Sequence, residues 1–234
     1  MGIKLHKYNC CDFHNVDTIG VICRGKSLGS IGKYKEYFKN VFVVGQHYRS
    51  FKLIGGHIMG SNIVKVCGKT FNKPSRGYVK QYIKWNIKDM QTTLYPHVSE
   101  RKAYKFKKIT KRHEGMMEVY PMPLNIYDRN KRFLKKRKHN DNNKINHPTL
   151  GIFGVDLAAA YKPKNIHIIG LDFYHSPDFS EEKKHVSTAK NFHRSKMMID
   201  YFQCLCEEER DINFYLYTCC NKIKSINNLK VIRV

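Results

Sequence analysis

Three short stretches hold residue types that could meet an anion, a hydroxyl or a proton. The first is Arg24-Gly25-Lys26-Ser27-Leu28, which follows the apolar run Thr18 to Cys23 and leads into a helical pattern over about Gly29 to Phe38. A strand-to-helix turn aims backbone N–H groups and the positive end of a helix dipole at whatever lies before it, which favours a negative group. Its glycine and lysine spacing is not that of a Walker loop, and the three-glycine dinucleotide fingerprint is absent. The bland alternative is an ordinary turn. The second stretch is Gly170-Leu171-Asp172-Phe173-Tyr174, where Asp172 either caps the following turn or holds a ligand hydroxyl. Tyr174 either packs or presents its phenol to a leaving phosphate. The third is His193, near the start of an amphipathic pattern. Most lone histidines are structural or solvated, and a general base needs reach to an acceptor hydroxyl and a partner for its other ring nitrogen.

The elements that must position these residues follow from apolar patterning. Thr18 to Cys23 and Asn40 to Gly45 read as buried strands flanking the first helix, a β-α-β opening. Asn165 to Asp172 reads as an interior strand, preceded by a small-residue helix over Ile152 to Tyr161 that His147-Pro148-Thr149-Leu150-Gly151 introduces. Phe192, Met197, Met198, Tyr201, Phe202 and Leu205 recur at helical spacing within about Ser187 to Glu208, and strands follow at Asp211 to Tyr217 and Leu229 to Val234. Phe51 to Val66, with Gly55, Gly56 and Gly60 among apolar residues, fits a weak helix or a strand equally. Parallel strands joined by helices point to an α/β fold with its ligand at the carboxyl ends of the strands.

The chain of 234 residues carries 43 Lys plus Arg against 19 Asp plus Glu, a formal charge of +24, and is 41% hydrophobic. That much apolar material excludes a disordered chain, and the length suffices for a proper core. The charge favours polyanions such as nucleic acid, acidic membrane or acidic sugars without choosing among them. Part of the excess is a general lysine enrichment, since Lys and Asn are plentiful while Ala and Pro are scarce. Charge concentrates between about Thr70 and His147, above all in Arg129, Lys131, Arg132, Lys135, Lys136, Arg137 and Lys138. Such a tract is most often a solvated helix face or a mobile insertion. No run of about 18 apolar residues and no signal-peptide core is present. The expectation is a cytoplasmic protein, able to settle on an anionic membrane through Lys131 to Lys138. The eight cysteines include two adjacent pairs, Cys10-Cys11 and Cys219-Cys220, and Cys204-Leu205-Cys206. None has the two-residue gap that suits zinc, so reduced thiols and no metal are expected.

The order VICRGKSLGSI, FVVGQHY, PTLGIFGVDLAAAYKPKNIHIIGLDFY, NFHRSKMMIDYF and INFYLYT resembles the bacterial sialyltransferases of glycosyltransferase family 42. The resemblance covers about residues 17–46 and 147–220. It implies a single nucleotide-binding α/β domain and leaves the basic middle unaccounted for; with the patterning above, the expectation is a Rossmann-like three-layer sandwich with a mostly parallel sheet, one domain over 1–234, with 70–147 as a basic, partly helical insertion or lid-like subdomain. It further implies transfer of sialic acid or a related sugar from a cytidine monophosphate donor to a glycan acceptor. The resemblance also implies that neither a metal nor a separate cofactor takes part and that the sugar carbon inverts. His193 then matches the general base and Tyr174 the tyrosine that steadies the departing phosphate. Arg24, Gly25, Lys26, Ser27, Gln46, Thr149, Gly151 and Asp172 match the nucleotide side.

Departures from the family pattern fall on that nucleotide side. Arg24 stands where the family has an asparagine, Gly45-Gln46 where it has asparagine-glutamine, and Leu150 where it has the helix-start serine. Each altered hydrogen bond is worth about 0.5–1.5 kcal/mol net. Arg24 would compensate by pairing directly with phosphate. The competing expectation is a catalytically silent domain of the same ancestry that binds RNA or another polyanion through its basic middle, where Tyr and Phe interleave with Lys and Arg.

Overall fold

A computed structural model of the chain describes Phe13 and residues 15–44, 62–67, 91–94, 119–120, 149–175 and 189–234. The elements in chain order are β1 (Thr18–Ile22), a 3-10 helix (Lys26–Tyr37), β2 (Asn40–Val44), β3 (Asn62–Cys67), β4 (Gln91–Leu94) and β5 (Val119–Tyr120). There follow α1 (Leu150–Ala159), β6 (Asn165–Ile169), α2 (Ala189–Glu208), β7 (Asn213–Thr218) and β8 (Leu229–Arg233). Among the described residues the strands form one eight-stranded sheet in the order β5-β4-β3-β2-β1-β6-β7-β8. Every neighbouring pair runs parallel.

Strands β1, β2 and β6 are buried without alternation because both sheet faces are covered there. On one face Ile19 and Val21 of β1, Phe42 and Val44 of β2, Ile166 and Ile168 of β6, and Phe214 and Leu216 of β7 pack under α1 and α2. On the other, Ile22, Val41, Val43, Ile169 and Tyr217 pack with Leu28, Ile31 and Phe38 of the 3-10 segment and the residue that ends it. This is the three-layer α/β sandwich. Each large apolar side chain fully buried this way contributes about 1.5–3 kcal/mol. The small residues of α1 let it settle onto the sheet, since a Cβ on Gly154 would collide with Val44 Cγ2. The hydroxyl of Tyr201 on α2 donates to Asp156 Oδ2 on α1 at 3.1 Å, tying the two helices together inside the core.

Several boundaries differ from the sequence expectation. The first helical element starts at Lys26 rather than Gly29 and is 3-10, broken at Tyr34 by non-helical dihedrals. Gly29 and Gly32 weaken an α-helix there, and Gly25 at the cap position supplies no side-chain acceptor. Helix α1 starts at Leu150, two residues early, because Thr149 rather than Gly151 takes the extended cap conformation. The ambiguous glycine-rich stretch contributes β3 at its end, and β4 and β5, inside the basic 70–147 region, add to the same sheet.

Sheet order places the site. The chain builds outward from β1 through β2 to β5, then returns along α1 to lay β6 on the other side of β1. The strand order therefore reverses between β1 and β6, and the crevice beyond the carboxyl ends at such a reversal is where open parallel sheets bind ligands.

Candidate functional site

The ends of β1 and β6 stay zipped together after the last strand pair, Ile22 with Ile169. Cys23 N donates to Ile169 O and Gly25 N to Gly170 O, each at 2.7 Å. Ser27 adds two bonds: its N–H donates to Asp172 Oδ2 at 2.9 Å, and its hydroxyl accepts from Gly170 N at 3.0 Å. Asp172 thus caps the 3-10 helix from the loop after β6, 145 residues away. The fit demands glycine at position 25, where a Cβ would collide with the Asp172 carboxylate and lie 2.7 Å from Gly170 O.

The other carboxylate oxygen of Asp172 gathers the end of β7. Thr218 Oγ1 donates to Asp172 Oδ1 at 2.8 Å, and Cys219 N donates to the same atom at 3.0 Å. Asp172 is 3% exposed. Its carboxylate accepts from all three donors, which offsets the cost of burying it.

Beyond Asp172 the backbone turns sharply. Gly170, Phe173 and Tyr174 all have positive φ, at 76°, 48° and 63°. Two successive non-glycine residues in the left-handed region are costly and persist only where their surroundings enforce them. Phe173 supplies one enforcement, its ring buried edge-on against Phe202 of α2 at 5.7 Å. The bond from His175 N to Asp172 O, 2.8 Å, closes the turn. The product is an exposed tyrosine, with Tyr174 41% exposed between buried Phe173 and half-buried His175. His175 follows, its Nε2 2.8 Å from Ser195 Oγ on α2. Burial pushes the His175 imidazole below its usual pKa, Lys222 pushes the same way, and Asp172 opposes both. The ring is therefore neutral at pH 7.

Helix α1 enters the same place. Thr149 N donates to Met198 Sδ at 3.2 Å, which seats the helix start on α2. A Cβ on Gly151 would stand 2.9 Å from Leu171 Cδ1 and 3.3 Å from Cys23 Sγ, so the first turn lies directly over both strand ends. Cys23 is buried, and its thiol is pushed far up, first by burial and then by Asp172, which leaves it protonated and inert as a nucleophile.

Of the sequence-predicted site residues, Arg24, Gly25, Lys26, Ser27, Thr149, Gly151, Asp172 and Tyr174 come together at the reversal between β1 and β6. His193 lies in the early part of α2, two residues before Ser195. Gln46 and the basic residues Arg129, Lys131, Arg132, Lys135, Lys136, Arg137 and Lys138 lie outside the described residues. Sequence reasoning missed Thr218, Cys219, His175 and Ser195. Thr218 had a signal, as the last residue of a strand ending at the ligand edge, and so did Ser195, a hydroxyl on the apolar face of α2. Among the described residues no cluster of three His, Cys, Asp or Glu could hold a metal ion. No described helix is long and apolar enough to cross a membrane.

Solved structures of similar architecture come from bacterial sialyltransferases. CstII from Campylobacter jejuni, solved with cytidine-5'-monophosphate, superposes with a TM-score of 0.54 at 17% identity, over 92% of this chain and 84% of that one. The fold resembles that of this sialyltransferase. The monofunctional α-2,3-sialyltransferase Cst-I from the same organism matches with a TM-score of 0.54 at 16% identity, over 93% of this chain and 80% of that one. CstII with a trisaccharide acceptor and CMP gives 0.53 at 16% identity, over 92% and 85%. The sialyltransferase likeness read from separate stretches of sequence thus extends to the fold across about nine-tenths of the chain. No protein-family model and no curated protein matches the sequence.

Proposed function

We propose that the protein is a glycosyltransferase that moves sialic acid, or a related sugar, from a cytidine monophosphate donor to a glycan acceptor by a metal-independent inverting mechanism. The observation that carries this reading is the strained turn that holds Tyr174 exposed at the strand-order reversal, beside the first loop. The relatives solved with CMP, one of them with an acceptor trisaccharide as well, agree with it.

In this reading Arg24 and Lys26 meet the nucleotide phosphate from the first loop, while Thr149 and Gly151 at the head of α1 shape the donor side with Gln46. Asp172 acts at one remove, holding the first loop, the Tyr174 turn and the end of β7 in one arrangement. The bond from the sugar carbon to the phosphate oxygen breaks as the acceptor oxygen attacks from the opposite face. Tyr174 donates a hydrogen bond to the departing phosphate, and His193 takes the acceptor's hydroxyl proton. An oxocarbenium-like transition state with a phosphate leaving group needs positioning, one base and donors to the phosphate more than it needs a protein nucleophile.

Thermal unfolding with added CMP tests the donor half. A saturable rise in Tm that Tyr174→Phe weakens supports the reading, because a ligand that binds only the native state stabilises it by mass action. Transfer from CMP-sialic acid tests the rest, with His193→Ala expected to abolish turnover at near-normal CMP affinity. A CMP-insensitive protein that instead binds RNA tightly and salt-dependently would sink the reading.

A further inference from the structure

Helix α2 turns a face of Ser195, Met198, Ile199, Phe202 and Leu205 into the protein, and Ser195 is the hydroxyl in that apolar row. Ser195 is 2% exposed, where a hydroxyl without a hydrogen-bond partner would cost about 1–3 kcal/mol. Its Oγ lies 2.8 Å from His175 Nε2. His175 adjoins Tyr174 in the chain, and its backbone N–H closes the turn onto Asp172 O. From there the Asp172 carboxylate reaches Ser27 and Thr218. One hydrogen-bonded path thus runs from the first loop through the Tyr174 turn into α2. His193 sits two residues before Ser195, about 3 Å along the helix axis at 1.5 Å per residue.

We propose that His175 is a positioning residue: its bond to Ser195 fastens the early turns of α2 to the Tyr174 turn and so sets the separation between the base on α2 and the tyrosine that meets the departing phosphate. This rests on the transferase reading for its catalytic consequence and on the geometry alone for the fastening. A side chain that only filled space would be replaceable by any group of similar volume, whereas one that positions through a hydrogen bond requires the bond.

The test contrasts two substitutions. His175→Phe keeps a ring and loses the bond, while His175→Gln loses the ring and keeps an amide able to reach the Ser195 hydroxyl. With CMP-sialic acid, His175→Phe and Ser195→Ala should each lower kcat at least tenfold with the donor KM unchanged within twofold. His175→Gln should retain kcat within threefold, and the double variant His175→Phe/Ser195→Ala should be no slower than either single one. A Gln variant as slow as Phe, a multiplicative double variant, or a loss confined to KM overturns the proposal. If the wild type neither responds to CMP nor transfers, the transferase reading has failed, and the fastening is judged by amide hydrogen exchange over residues 189–199. Exchange at least tenfold faster in His175→Phe and Ser195→Ala, with Gln close to wild type, upholds it; Phe matching wild type overturns it.

Discussion

Replacing Asp172 by asparagine changes one oxygen into an amide and removes the charge, and the geometry dictates the cost. Oδ2 accepts from Ser27 N at 2.9 Å, while Oδ1 accepts from Thr218 Oγ1 at 2.8 Å and Cys219 N at 3.0 Å. Whichever way the amide turns, its NH2 faces a backbone N–H. The Ser27 bond is buried and the Cys219 bond only partly so. The cheaper orientation therefore sets the NH2 against Cys219, whose N–H has some access to water. Thr218 then swings its hydroxyl toward Leu171 O, already 3.2 Å away. The lost bond costs about 1–2 kcal/mol. The bonds that survive drop from a charged to a neutral acceptor, roughly halving their strength and adding about 1 kcal/mol. The sum is about 2–3 kcal/mol, a large share of the roughly 5–15 kcal/mol that holds a domain folded. Asp172→Ala should cost more, since the Ser27 N–H loses its acceptor as well. Urea unfolding of the three proteins measures this directly. An asparagine variant within 0.5 kcal/mol of wild type, or an alanine variant more stable than the asparagine one, would show that the carboxylate does not hold the three strand ends together.

Other outcomes follow from the same coordinates. His167 lies between the rings of Tyr37 and Tyr215, at 4.2 and 4.5 Å, with Nδ1 2.9 Å from the Tyr217 hydroxyl, and burial depresses its pKa to about 4 against the opposing pull of Glu36. The unfolded chain, near 6.5, takes up the proton first, so stability present above that value falls as pH drops through 6.5 to 4 and then levels off. The shift corresponds to at most about 3 kcal/mol; His167→Phe should flatten this part of a Tm-against-pH curve. Gly25→Ala should lower stability by about 2 kcal/mol and abolish the CMP-induced rise in Tm, because the methyl meets backbone and a buried carboxylate that cannot yield. Tyr174→Gly should leave urea stability unchanged or raise it by up to about 1 kcal/mol while removing the CMP response, which separates the strain of that backbone from its use.

Strands β1, β2, β6 and β7 were legible because a strand covered on both faces must be apolar throughout, and Val41 to Val44 or Ile166 to Ile169 has few other uses. Gln91-Thr92-Thr93-Leu94 and Val119-Tyr120 were not, being too short and too polar for any period to emerge. The first helix read as ordinary although it is 3-10, with glycines inside it and no side chain on its own N-cap residue. Arg24 to Ser27 and Gly170 to Tyr174 were recognisable one by one as strand-end loops. What joins them was not: Asp172 does cap a helix, one of the two roles open to it, but a helix far upstream rather than the local turn. The His175–Ser195 pair was hidden for the same reason, since local pattern carries no information about which distant hydroxyl an imidazole will meet.

The reversal of strand order has a consequence for how the molecule assembles. Thr18 of β1 aligns with Asn165 of β6, so the middle of the sheet joins positions 165 − 18 = 147 residues apart. Closing so large a loop demands entropy before any contact rewards it, and topologies of this kind acquire their native form slowly. On a ribosome the first five strands would emerge with β1 still exposing an unpaired edge, open to the wrong neighbour until the second half arrives.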